Sequence, residues 1–190
     1  MRRAGVFSLL VLTACGGAPP PDWQLNSVAA MNAFQQDYLR GDTKAADLEF
    51  ARLQSEISST GRGDLAARVE LVRCAARTAS LEFDDCPGFE KLRADAGAEE
   101  LAYADFLAGK AERTAAEDAL SKLVFAGVRM KTSRATPQDI SSAVDIASAQ
   151  GWRRPLLAWL GVQEKRAEAA GDNAALERIR RRIALTAGQL

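Results

Sequence analysis

An all-α fold built from antiparallel helical hairpins is what the sequence predicts. Three observations carry that expectation. Apolar residues recur at steps of three and four through nearly all of the chain after residue 22, the period of one helix face. Glycine followed by aspartate recurs at Gly41-Asp42, Gly63-Asp64 and Gly171-Asp172, where a left-handed glycine would end one helix and the aspartate would cap the next. No stretch alternates apolar and polar residues long enough to read as a strand.

The N-terminal segment comes first in order. Arg2 and Arg3 precede an apolar run, Ala4 to Leu12, which at about 1.5 Å per helical residue is too short to cross a bilayer core of about 30 Å. It has the length of a signal-peptide core. The run ends in Leu12-Thr13-Ala14-Cys15, which resembles the lipobox of bacterial lipoproteins: an aliphatic residue, two small ones, then the cysteine. That resemblance implies cleavage after Ala14, acylation of Cys15 and anchorage to a membrane by several acyl chains, since a single chain binds only marginally. Gly16 stands where an aspartate favours inner-membrane retention, so the resemblance implies outer-membrane sorting with the protein facing the periplasm. The expected organisation is a signal peptide over 1–14, a lipidated Gly/Pro tether over 15–22, and one helical domain over 23–190.

The helices follow. The first is expected over Ser27 to Arg40, with Val28, Met31, Phe34 and Tyr38 on one side; the second over Thr43 to Ser59, with Ala46, Phe50, Leu53 and Ile57 in line. The third, from Asp64 to Phe83, has one stripe through Leu65, Val69, Val72, Ala76, Ala79 and Phe83 and another through Leu71, Cys74, Thr78 and Leu81. Two apolar faces predict a central position. A short helix is expected over Pro87 to Asp95, with Pro87 in its first turn. Others are expected over Ala98 to Ala108 and Ala111 to Gly127. Met130 to Ala135 reads as a loop, and Thr136-Pro137-Gln138-Asp139 as a helix start with a capping threonine and an acid near the dipole's positive end. Arg153 to Ala170 and a last helix beginning at Asp172 complete the chain. Gly41, Ala46 and Phe50 resemble the small-and-aromatic spacing of a tetratricopeptide helix pair, but no 34-residue period is sustained. The fold class is therefore all-α: hairpins that are tetratricopeptide-like in architecture, or an irregular helical bundle.

Composition narrows the chemistry. The chain contains no histidine, which removes every mechanism using histidine as acid, base or metal ligand. Loss of Arg2 and Arg3 with the signal peptide would leave 23 basic against 25 acidic residues, a balance that does not steer the protein to nucleic acid. After Cys15 only Cys74 and Cys86 remain. In an oxidising compartment the simplest expectation is one disulfide, and two buried thiols are the alternative. The bridge requires the third helix to end by about Phe83 and the chain to double straight back.

Local motifs add little chemistry. Gly109-Lys110 lacks the upstream glycine and the following Ser or Thr of a P-loop. Arg40-Gly41-Asp42 and Arg62-Gly63-Asp64 spell an integrin-type tripeptide, but at helix joints that already require glycine and aspartate. Asp84-Asp85 and Glu99-Glu100 fall near helix starts, where acids satisfy backbone donors. The most interesting surface feature is Trp152 with Arg153 and Arg154, expected to lie near Arg129, Lys131 and Arg134 as one interaction surface for anionic groups. The chain also resembles alanine-rich helical lipoproteins of proteobacterial envelopes, a likeness that implies a location and no activity.

The function expected on these grounds is a non-enzymatic interaction or scaffold module of the cell envelope, held to the membrane by lipid and binding an envelope protein or peptidoglycan. No cofactor, catalytic residue or metal site is expected. The alternatives are a glycan enzyme working through two carboxylates about 5–9.5 Å apart, and a carrier of a small apolar ligand between helices.

Overall fold

The computed structural model describes residues 19–114 and 116–189. The lipobox, Cys15 and the signal segment lie outside the described residues. Among the described residues the chain forms nine α-helices and no strand. They are α1 (Asp22–Arg40), α2 (Thr43–Ser58), α3 (Gly63–Ala79), α4 (Pro87–Glu90), α5 (Ala98–Leu107), α6 (Ala119–Lys131), α7 (Pro137–Ala149), α8 (Arg153–Ala170) and α9 (Asn173–Ala187), with a 3-10 turn at Arg93–Asp95. None of these helices is long and apolar enough to cross a membrane.

The joints work largely through caps. Gly41 is left-handed (φ 88°) and closes α1, and the Asp42 carboxylate accepts from the Ala45 N–H at 3.0 Å to open α2. Gly171 (φ 68°) and Asp172, accepting from Ala175 N–H at 2.9 Å, repeat the device between α8 and α9. Thr136 and Asp139 form a reciprocal capping box at α7, with Pro137 in the first turn.

The third Gly-Asp joint departs from that expectation. Gly61 is the left-handed residue (φ 66°), Gly63 is already the first residue of α3, and Asp64 sits within the first turn, paired with Arg62 at 2.5 Å. Gly63 serves another purpose: a Cβ there would come within 2.6 Å of Asp95 Cβ, so its missing side chain admits the 3-10 turn against the start of α3.

Four boundaries also differ. α3 ends at Ala79, not Phe83, and the chain reverses through Leu81 (φ 59°). The earlier reversal brings Cys86 back over Cys74, with Cα atoms 5.7 Å apart, inside the range a disulfide needs. α6 begins at Ala119 because Asp118 supplies a cap, accepting from Ser121 N–H at 2.9 Å, that nothing near Ala111 provides. The same helix runs on to Lys131, so the expected loop is shortened to the turn around Ser133 (φ 57°). α1 starts at Asp22, directly after the proline run.

The core lies on both faces of α3. Phe34, Leu39, Ala46, Phe50, Leu53 and Ile57 of α1 and α2 pack with Val69 and Ala76 on one face. Ala67, Leu71, Cys74, Ala75 and Ala79 pack on the other with residues that include Phe89, Leu123, Val144, Trp159 and Leu160. The central position expected for this helix follows from these two faces. Trp159 is fully buried, and its indole N–H donates to Ala79 O at 3.0 Å, satisfying the last turn of α3 from α8.

Gly127, expected to end a helix, lies inside α6 at its closest approach to α3. A Cβ there would overlap the Thr78 carbonyl. Gly127→Ala is therefore expected to lower stability by about 2 kcal/mol despite its better helix propensity. Gly161→Ala, where nothing lies within 4 Å of the added Cβ, is expected to be neutral or stabilising by up to about 1 kcal/mol. Urea unfolding of the two variants measures the difference, and equal effects would show that α3 and α6 can move apart freely.

Candidate ligand-binding groove

A groove of about 710 Å³ opens over the middle of α3. One wall is α1, which contributes Asn32, Gln35 and Gln36, a polar stripe at helical spacing beside the buried Phe34. The opposite wall is the first turn of α6, with Asp118, Leu120 and Ser121. Val72, Ala75 and Leu39 form the floor, and Gln150 and Trp152, from the joint between α7 and α8, close one end. At the other end Tyr103 of α5 and Val72 are shared with a second hollow of about 390 Å³ that continues past Arg68, Glu99 and Arg113. The two form one elongated trough with an apolar floor, amide-bearing walls and an aromatic at each end of the larger part.

The electrostatics of this trough favour binding over proton transfer. Burial pushes the Tyr103 phenol up to about 12, so it remains a neutral hydroxyl at ordinary pH. The Arg113 guanidinium lies 5.2 Å from its ring centroid. Asp118 is held below the usual carboxylate range by the hydrogen bond from the Ser121 backbone, so it stays ionised as a helix cap. Side-chain amides offer a donor and an acceptor each without titrating, and aromatic rings offer flat apolar faces. Such a set suits a neutral, polar, elongated ligand.

The structure divides the residues that the sequence grouped as one surface. Trp152 opens onto the trough near the start of α6, whereas Arg129 and Lys131 lie in the last turn of that helix, which at 13 residues is about 18 Å long. Arg154 is built into the fold. Its Nε donates to Tyr38 O at 2.7 Å, its Nη1 to Glu82 Oε1 at 3.1 Å and its Nη2 to Thr43 Oγ1 at 2.7 Å, while its plane lies 4.2 Å from the Tyr38 ring centroid. Arg153 lies beside Gly41. Arg129 donates to Asp139 and to Arg134 O, both at 2.9 Å. Lys131 donates to Asp84 O at 3.3 Å, and Arg134 pairs with Glu112. Asn32, Gln35, Tyr103 and Gln150 were not singled out by sequence reasoning. The polar stripe on α1 was visible, but nothing in the sequence says that α5 and α6 stop short of covering it.

A second hollow, about 410 Å³ beside the cysteine pair, is lined in part by Asp84, Asp85 and Glu90. Asp84 accepts from Cys86 N–H at 3.0 Å and pairs with Arg77 at 3.2 Å. The Arg93 guanidinium holds the Glu90 carboxyl below its ordinary value. Five described carboxylates, Asp64, Glu90, Glu100, Asp118 and Asp139, are held below their ordinary values by their hydrogen-bond partners.

Comparison with protein-family models, with curated proteins and with solved structures gives no match for this chain.

Two outcomes are expected. Arg154→Ala should lower stability by about 2–3 kcal/mol, because it removes three hydrogen bonds and a cation–π contact that join α8 to α1, to the start of α2 and to the segment after α3. Thermal denaturation checks this, and an unchanged Tm would mean that these contacts are replaced by water without cost. The second concerns Asp118. Its folded-state pKa is lowered, so its stabilisation is complete above the ordinary carboxylate range, about 3.9, and is lost as pH falls through the lowered value. Asp118→Asn keeps a cap without the titration, so the gap in urea midpoint between it and wild type should close below about pH 4. A gap that persists unchanged to pH 2 would contradict the assignment.

Proposed function

We propose that this chain is a lipid-anchored, non-enzymatic interaction module of the cell envelope, held at the outer membrane through Cys15 and facing the periplasm. The trough over α3 is where it engages its partner, a peptidoglycan strand or an extended segment of an envelope protein. The observation that carries this reading is the trough's composition: amides of Asn32, Gln35 and Gln150 above an apolar floor, between Trp152 and Tyr103. Amide walls bond hydroxyls, N-acetyl groups and peptide backbones alike, and the aromatic ends exclude water around them. The anchoring part rests on the lipobox resemblance and on the Gly/Pro tether, which reaches about 25 Å at most from Cys15 to Asp22.

The two alternatives have less support. The trough holds Asp118 as its one carboxylate in the larger part, and that carboxylate is a helix cap, not one of a facing acid pair. The trough is open to solvent along its length, whereas a carrier of a small apolar ligand encloses it.

Two measurements test the proposal. The intact mass of the native protein beside a Cys15→Ala variant tests the anchor: a lipid-sized increment on wild type alone is expected, and an intact, unmodified N-terminus on both would end the localisation claim. Sedimentation with isolated peptidoglycan sacculi, together with crosslinking in the envelope, tests the trough. Trp152→Ala and the surface pair Asn32→Ala/Gln35→Ala are expected to weaken partner retention about tenfold or more, with unchanged circular dichroism. Full retention by both variants would place any partner elsewhere.

A further inference from the structure

The C-terminal three helices leave a second groove that serves none of the chemistry above. α7 and α9 both pack on α8 but make at most marginal contact with each other. The gap between them, about 920 Å³, has α8 as its floor. Residues 163–170 of α8 and 175–182 of α9 face it at steps of three and four, which gives a slot about 10 Å long, or two helical turns. Its base is apolar, with Ile140, Ala167 and Ile179, and its rim carries Arg166, Arg178 and Arg182.

These three arginines are unlike most others in the molecule. Arg52, Arg62, Arg68, Arg73, Arg77, Arg93, Arg129, Arg134 and Arg154 each have a side-chain carboxylate within reach, as do Arg180 and Arg181 on the other faces of α9. Among the described residues, Arg166, Arg178 and Arg182 have no side-chain carboxylate within 4.0 Å; the same is true of Arg40, Arg113 and Arg153, but only these three line one groove together. The Asp172 carboxylate also borders the groove, but it caps Ala175. Arginine is enriched at protein interfaces, and an unpaired guanidinium beside an apolar floor is left to find an anion from outside.

We propose that this groove receives an acidic amphipathic helix of a partner protein. The shape favours a helix: α7 and α9 flank α8 without packing on each other, and a groove between two helices over a third takes another helix at the usual distance of about 8–10 Å between axes. The floor takes its apolar seam, as in other helix-in-groove contacts. Charge complementarity selects its flank: carboxylates at helical spacing beside the seam meet Arg178 and Arg182 of α9 and Arg166 of α8. The occupant extends the hairpin array by one helix, which also covers α9, a helix with no fully buried residue. This surface is separate from the trough over α3, and it stands or falls independently of the reading given to that trough.

The test uses the purified full chain carrying Cys15→Ala, with the cysteine pair oxidised, so that no acyl chain contributes. The probe is a synthetic 18-residue helical peptide with a leucine seam at spacings of three and four and glutamates on both flanks, followed by fluorescence anisotropy. A peptide with lysines in place of the glutamates is the comparison. Binding of the acidic peptide alone is expected, weakening as salt rises. The Arg178→Glu/Arg182→Glu variant should bind it at least about tenfold more weakly, and Arg178→Gln/Arg182→Gln should also lose affinity without introducing repulsion. Lys44→Glu/Lys91→Glu, with the same charge change outside the groove, should bind within about twofold of wild type. Equal binding of the lysine peptide, or equal loss from both charge-reversal pairs, would overturn the proposal. So would Arg178- and Arg182-dependent binding to phosphatidylglycerol vesicles without peptide binding, which would make the occupant a lipid. Arginine-dependent dimerisation without peptide binding would equally overturn it by making the occupant a second copy.

Discussion

The return of the chain after α3 is the constraint on which the rest of the molecule depends. Seven residues, 80–86, must leave a central helix, turn back along it and deliver α4 onto its flank. The Cys74–Cys86 pair closes one end of the loop, and by chain entropy a loop of about a dozen residues contributes on the order of 3 kcal/mol. Side chains from four helices fix the rest. Arg77 of α3 pairs with Asp84, Lys131 of α6 reaches the Asp84 carbonyl, Arg154 of α8 pairs with Glu82, and the Tyr38 hydroxyl of α1 donates to Glu82 at 2.8 Å. The segment is thus the place where helices far apart in sequence are tied together. With Trp159 bonded to Ala79 just before it, the end of α3 sets the positions of α1, α6 and α8 at once.

That arrangement decides where the trough can open. α6 is drawn against α3 at Gly127, where the absence of a Cβ permits contact between a helix and the Thr78 carbonyl of its neighbour. Farther back the two helices are separated enough to leave a floor of half-buried Val72 and buried Ala75. α1 meets α8 at its C-terminal end through Tyr38 and Arg154, so its polar stripe at Asn32, Gln35 and Gln36 faces the gap rather than α6. The opening is a consequence of where the close contacts fall, and a helix start capped by Asp118 lies at its edge.

Helical periodicity and caps made the architecture legible, and they did so for local reasons. Asp42, Thr136 and Asp172 cap helices within three residues of themselves, and α8 runs from Arg153 to Ala170 as its pattern predicts. The two apolar stripes of α3 announced a central helix, and they pack on both sides as far as Ala79, whereas Phe83, expected to extend one of them, lies beyond the helix and is exposed. The departures arise where a contact distant in sequence decides. Residues 80–83 continue an acceptable helical pattern, yet the chain reverses at Leu81 and contacts from Tyr38, Arg77 and Arg154 hold the segment that follows. Gly63 and Gly127 look like punctuation in the sequence, but each marks a close approach to a segment at least 30 residues away. The trough was illegible for the same reason. Its walls come from α1, α5 and α6, and a sequence shows which residues are polar without showing which helices fail to meet over them.

The arginines carry the same lesson into function. Sequence reasoning favoured Arg153 and Arg154 because they stand beside a tryptophan, an arrangement common at interfaces. In the fold, three donors of Arg154 are directed inward, to a carbonyl, a hydroxyl and a carboxylate, and its flat face is covered by Tyr38. A side chain so engaged has little left to offer a partner, and its removal would be felt first as lost stability. Arg178 and Arg182 belong to a run of basic residues near the C-terminus, and with Arg166 they border one groove without a carboxylate in reach; among the other described arginines Arg40, Arg113 and Arg153 share that state but lie apart from it. Whether an arginine serves the fold or faces outward depends on the acids brought near it by tertiary structure. In a chain with equal numbers of acidic and basic residues, most arginines find such acids within the molecule. Three that do not, gathered over an apolar floor, are therefore a more selective signal than any local motif the sequence contains.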